Sequence, residues 1–149
     1  MVQARNGLSL FCLAIFSLFT VSSFVWAEDW KLFGQTASGD IYYDKSSITE
    51  EGNIVRVWTK EIYYQDGKIN TYEILKSLGR AIATPDMLSH QLILREYDCA
   101  NEKMQSTSLT VYTVEGTSVF SQRKSYNEWN DIPNSTLESL KKLVCGSTR

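Results

Sequence analysis

The side chains with the most reactive chemistry in this sequence are three cysteines and one histidine. The cysteines are Cys12, Cys99 and Cys145, and the histidine is His90. Thiolates and imidazoles can ligate metals or form a nucleophile–base pair, but no C-x-x-C spacing and no nucleophile motif is present. We therefore predict that the chain is not an enzyme and holds no metal and no cofactor.

Acidic side chains are the other candidates for chemistry. Glu50 and Glu51 are adjacent to each other before a glycine, and neighbouring carboxylates on a turn are typical of a solvated surface rather than of an acid–base pair. Asp44 lies in the stretch "YYDKSSI". We predict that Asp44 caps this turn through Ser46 or Ser47 rather than binding a metal ion.

The N-terminus has the pattern of an export signal. Arg5 precedes an uncharged apolar run over residues 8–27, which ends in Val-Trp-Ala. A positive start, an apolar stretch and a small residue at the cleavage position predict a signal peptide, residues 1–27, and a mature chain, residues 28–149. An uncleaved anchor is the alternative, because twenty uncharged residues can span a bilayer.

Removal of the signal decides the role of the cysteines. It discards Cys12 and leaves Cys99 and Cys145, an even pair. Because free thiols persist poorly in an oxidising compartment, we predict an intramolecular disulfide between these two residues.

Composition limits the class of partner. The chain has 149 residues, a formal net charge of −2 and no cluster of Lys and Arg, so we predict no nucleic-acid partner, since phosphates require clustered cations. We expect one ordered domain with no membrane span after signal cleavage. The oligomeric state stays open.

Six segments rich in β-branched and aromatic residues predict strands. They cover residues 30–34, 40–44, 54–63, 92–99, 105–114 and 117–122. Short polar turns, such as residues 35–39 and 100–103, join several neighbouring segments. Strands linked so closely must pair antiparallel.

Two segments have helical periodicity instead. Apolar residues recur every three or four positions in residues 69–82, which predicts a helix or helical turn there. In residues 135–144 the side chains of Leu137, Leu140 and Val144 share one face. A helix of this length is unstable alone in water, so we expect its apolar face to pack on the sheet.

These elements define the predicted fold class. It is α+β, with a single antiparallel β-sheet of about six strands and a C-terminal helix packed on one face. Cys145 follows that helix and Cys99 ends a predicted strand. The disulfide would therefore tether the helix to the sheet.

The strand over residues 54–63 offers a candidate binding surface. Its alternation places two sets of side chains on opposite faces: Ile54, Arg56, Trp58, Lys60 and Ile62 on one, and Val55, Val57 and Thr59 on the other. Arg56, Trp58 and Lys60 form a possible partner-binding face, since aromatic and cationic groups are common at interaction hot spots. In the alternative interpretation, which the sequence favours, Trp58 is core beneath the C-terminal helix and the two cations extend past its edge.

Several stretches, in order and spacing, resemble the bacterial surface-adhesin protein E family. They are "EDWKLFG", "IYYDKSSI", "GNIVRVW", "EYDC" and "EWNDIPNSTLESLKKLVC". Residues 65–87 are an additional stretch relative to shorter members. The resemblance implies an antiparallel sheet with a disulfide-tethered C-terminal helix.

The resemblance also implies a function. It suggests an exported, non-enzymatic protein of the periplasm or cell surface that binds a macromolecular partner, such as a host matrix protein. The alternative is a structural or accessory periplasmic protein with no host ligand. Exposure of Trp58, Tyr42 or Tyr43 in one patch would favour the first class.

Overall fold

The computed structural model describes residues 28–123, 128–133 and 135–146. The predicted signal peptide, residues 1–27, lies outside this part of the chain. The described residues form eight strands and two helices: β1 Trp30–Gln35, β2 Gly39–Asp44, β3 Thr49–Glu51, β4 Ile54–Tyr63, α1 Gln65–Ser77, β5 Leu88–Asp98, β6 Lys103–Thr113, β7 Ser118–Arg123, β8 Asn130–Asp131 and α2 Ser135–Gly146. Two 3₁₀ turns, Lys45–Ser47 and Pro85–Met87, precede β3 and β5.

All strands belong to one antiparallel sheet. Six of them follow the order β1-β2-β4-β5-β6-β7, while β3 pairs with β4 and β8 pairs with β6. Every direct neighbour in the main order pairs antiparallel, which the short turns predicted for the strands that they join; β4 and β5, which are connected through α1, pair antiparallel as well. The predicted fold class is confirmed, and β3 and β8 are short additions to it.

Both helices pack on the same face of the sheet. Under α2 lies a buried cluster: Tyr43, Val55, Val57, Tyr97, Met104, Leu137, Leu140 and Val144. Under α1 lies a second, smaller cluster: Tyr63, Leu75, Leu88 and Val111. Among the described residues, no helix covers the opposite face, so the sheet has one covered face and one open face.

The position of α2 corrects one interpretation of β4. Val55 and Val57 are buried in the cluster under α2, at 1% and 0% exposure. Trp58 alternates with them and therefore lies on the other face. The favoured expectation that Trp58 is core beneath the C-terminal helix is wrong. The alternation was visible in the sequence, but hydrophobic size alone does not say which face a helix covers.

The C-terminal helix and its disulfide are as predicted. Leu137, Leu140 and Val144 are buried, and Cys99 bonds to Cys145 with 5.8 Å between their Cα atoms. The bond joins positions 46 residues apart. Closing a loop of that length stabilises the fold by about 4 kcal/mol on the chain-entropy model.

The first helix differs from its prediction. Its bounds are Gln65–Ser77 rather than residues 69–82, and Leu75 is its only fully buried large apolar side chain among the described residues. Leu78, an apolar residue within the predicted range, lies just after the helix and is 55% exposed. The helix ends because Gly79 has a φ of 71°, a left-handed conformation that terminates helices.

Candidate functional site

The open face of the sheet carries apolar side chains that no described helix covers. Cross-strand pairs place Leu32 opposite Tyr42, Tyr42 opposite Lys60, Lys60 opposite Leu92, and Trp58 opposite Leu94. Directly paired residues share a face, so these side chains form a continuous surface over four strands. Leu32 and Ile62, at the margins of this surface, are 55% and 40% exposed, and the residues between them are half-buried.

A pocket of about 270 Å³ opens on this face. Its walls combine aromatic, aliphatic and acidic side chains: Glu28, Trp30, Asp44, Trp58, Leu92 and Tyr112. The Nζ of Lys60 lies 4.2 Å from the centre of the Trp30 ring, within range of a cation–π interaction. Trp58 and Lys60 therefore meet on one surface, and Trp30 joins them from β1.

Arg56 lies on the same face and is held by two carboxylates. Its Nε donates to Glu96 at 2.7 Å and its Nη1 donates to Glu51 at 2.9 Å. These hydrogen bonds raise the pKa of Arg56 above its ordinary value, and the one to Glu96 contributes most. Glu96 also accepts from the Gln105 side-chain amide at 2.6 Å. This network fixes the guanidinium beside the apolar surface.

The turn after β2 is fixed by Asp44, as predicted. Asp44 Oδ1 accepts hydrogen bonds from the Ser46 amide at 2.9 Å and from the Ser46 hydroxyl at 2.6 Å. The Ser47 hydroxyl donates to the Asp44 carbonyl and accepts from the Trp58 amide. The cap therefore ties the turn to β4 beside the pocket.

His90 contributes an aromatic contact to the open face. Its ring stacks on Tyr112 with 4.9 Å between centroids and 10° between planes. Burial, and then the nearby charge of Lys60, lower its pKa below the ordinary value. In the described ranges no group of three or more His, Cys, Asp and Glu side chains is placed to hold a metal ion.

Tyr42 and Tyr43, which the sequence analysis named for a possible exposed patch, lie on opposite faces of the sheet. Tyr42 lies half-buried on the open face, whereas Tyr43 is buried in the cluster under α2, where it meets Phe33 edge-on. Residues such as Trp30, Leu92 and Tyr112 were missed as members of the surface. The only signal for them was the alternation along their own strands combined with the register between strands.

The geometry defines a class: a disulfide-tethered α+β domain with one antiparallel sheet, helices on one face and an aromatic-rich open face. A model of the surface-adhesin protein E family matches residues 30–146, so the chain belongs to that family. Membership indicates export to the cell envelope or surface. No solved structure matched the chain. Over the described residues, neither helix is long and apolar enough to cross a membrane.

Proposed function

We propose that this protein is a non-enzymatic surface adhesin whose open face binds a protein partner, such as a host matrix protein. The observation that carries the proposal is the placement of both helices on one face. The aromatic and aliphatic side chains of the other face have no described helix over them. A partner that covers this apolar surface removes it from water, and that burial lowers the free energy of the complex.

The chemistry of the open face suits a protein partner. Trp, Tyr and Arg are the residue types that contribute most at protein interfaces. Trp58 and Tyr42 lie near the middle of the face, and Arg56 lies beside them. Because these residues are on paired strands, little conformational entropy is lost when a partner binds.

Export is part of the proposal. We infer that signal peptidase cleaves after Ala27, so that the mature protein begins at Glu28. N-terminal sequencing of the exported protein should find Glu28 first. A sequence that begins upstream of residue 27 would indicate a retained anchor.

A matched pair of substitutions tests the binding surface. Leu32 on the open face is 55% exposed, and Ile74 on α1 is 60% exposed. Neither side chain is needed for the core, so Leu32→Arg and Ile74→Arg should both fold. Binding to a panel of immobilised, purified matrix proteins should weaken roughly tenfold or more in Leu32→Arg only, because the arginine must be desolvated at the interface.

Three results would contradict the proposal. Loss of binding in Ile74→Arg alone would place the interface on the helical side, and equal loss in both variants would show that binding does not depend specifically on the open face. Wild-type protein that binds no member of the panel would favour the accessory envelope protein with no host ligand.

A further inference from the structure

Arg95 is a cation on the covered face of the sheet. On β5 it lies between Leu88, which packs under α1, and Tyr97, which packs under α2. Its Nε donates to Thr59 Oγ1 at 3.2 Å, and its Nη1 donates to Ser106 Oγ at 3.3 Å. In the described part of the chain no carboxylate lies within ion-pair distance of it.

The guanidinium is therefore satisfied only in part. It has five N–H groups, and two of them donate to described protein groups. Burial lowers the pKa of Arg95, and the charges of Tyr97 and Glu61 offset this only in part. The Glu61 carboxylate is itself engaged by the Gln91 side-chain amide at 2.7 Å. Arg95 is half-buried and no described carboxylate pairs with it, so its remaining N–H groups can donate to an anion.

A pocket of about 270 Å³ gives such an anion access to Arg95. Ser106 lines it beside Arg95, and Met104, Pro133 and Leu137 provide apolar walls. Ser106 Oγ accepts from Arg95 and, among the described residues, donates to none, so its proton is available to an acceptor. Leu137 belongs to the first turn of α2, and the positive end of a helix dipole favours negative charge nearby.

Acidic groups at the same pocket limit the charge of the ligand. Glu128 and Asp131 line it, and Asp131 is neutralised in part by an ion pair with Lys103. These carboxylates repel a dianion more strongly than a monoanion, so the pocket favours a ligand with a single negative charge.

We propose that this pocket binds a small aliphatic monocarboxylate. One of its oxygens accepts a charge-assisted hydrogen bond from the Arg95 guanidinium, and the other accepts from the Ser106 hydroxyl. Its hydrocarbon part packs against Met104, Pro133 and Leu137. The site lies at the edge where β6 meets β8 and is centred on Arg95 of the covered face, while Gln105, which donates to Glu96 on the open face, also lines it.

Titration of the ¹⁵N-labelled exported protein with butyrate tests the proposal. The Arg95 Nε–H signal and the Ser106 amide signal should shift and saturate. Succinate and inorganic phosphate should bind more weakly, and butylamine, similar in size but cationic, should not shift the Arg95 signal. Arg95→Gln should weaken butyrate binding roughly ten- to a hundredfold, as expected for loss of charge-assisted hydrogen bonds. Arg80→Gln, at an exposed arginine after α1, should leave it unchanged.

Two outcomes would overturn the proposal. One is a shift at Arg95 that does not saturate and matches the shifts of exposed arginines. The other is butyrate binding that Arg95→Gln and Arg80→Gln affect alike. Should Arg95→Gln fail to fold, the wild-type titration and its comparison with butylamine decide the question.

Discussion

At the scale of single residues, the polar side chains of the open face hold the sheet and its turns in place. Asp44 caps the turn after β2, and Arg56 joins Glu51 on β3 to Glu96 on β5. Lys60 covers the Trp30 ring. These contacts keep the aromatic surface in one conformation, which is what a preorganised binding face requires.

The charge of Asp44 should contribute to stability at neutral pH. Burial raises its pKa, but the hydrogen bonds from Ser46 and from the Asp29 amide outweigh that effect, so the pKa lies below the ordinary 3.8. A carboxyl whose pKa is lowered by folding stabilises the fold above its unfolded pKa and loses that contribution as the pH falls through the folded pKa.

We therefore expect Asp44→Asn to lower the free energy of unfolding by about 1–3 kcal/mol at pH 7. The difference from wild type should shrink once the pH falls below about 4. Urea denaturation at several pH values measures it. Glu115→Gln, at an exposed turn residue, is the control. A difference for Asp44→Asn that is independent of pH would show that the charge is not what stabilises the turn.

Local chemistry was predictable at this scale. The Asp44 cap depends on residues two and three positions away, and the disulfide followed from the even number of cysteines in the predicted mature chain. The contact between Lys60 and Trp30 was not predictable, because it depends on the register of β1, β2 and β4.

At the scale of elements, the two helices are attached to the sheet by different means. The helix α2 has an apolar stripe and a disulfide, and its Lys141 forms an ion pair with Glu102 at 2.6 Å. The helix α1 is positioned by a close backbone approach at Gly67. The sequence predicted α2 well because its stripe is regular. It misplaced α1 because the start of that helix depends on the contact with the turn between β1 and β2.

Gly67 should be intolerant of a side chain. A Cβ there would lie 2.1 Å from the Ser38 carbonyl oxygen, so the helix or the turn must move. Glycine to alanine in a helix usually stabilises by about 1 kcal/mol. Here we expect Gly67→Ala to destabilise by about 1–3 kcal/mol because of overpacking.

Thermal or urea unfolding measures this effect. Gly146→Ala at the end of α2, where a Cβ meets no atom within 4 Å, is the control and should change stability little. Stabilisation by Gly67→Ala would mean that α1 does not lie this close to Ser38.

Packing of α2 gives a second test at this scale. Leu140 is fully buried and Leu143, on the same helix, is 39% exposed. Leu140→Ala should cost about 2–5 kcal/mol through lost burial and a cavity. Leu143→Ala should cost much less. Similar losses in the two variants, measured by urea denaturation, would contradict the orientation of α2.

At the scale of the whole molecule, the sheet separates the face that both helices cover from the open face. Composition and strand pattern predicted a single sheet with a helix on one face. They did not predict which face, because β4 is amphipathic in an unusual way: valines alternate with Arg56, Trp58 and Lys60, and either set can be covered. Only the register of the other strands, which bring Tyr97 and Met104 beneath α2, decides it.

Oxidative footprinting of the protein, alone and with a matrix protein from the panel to which it is found to bind, tests the central claim most directly. Trp58 on the open face and Tyr72 on α1 are both half-buried aromatic residues, so they form a matched pair in one sample. Hydroxyl-radical oxidation, read by mass spectrometry, should slow severalfold at Trp58 on complex formation and stay unchanged at Tyr72. Protection at Tyr72 with unchanged oxidation at Trp58 would contradict the assignment of the open face as the binding surface.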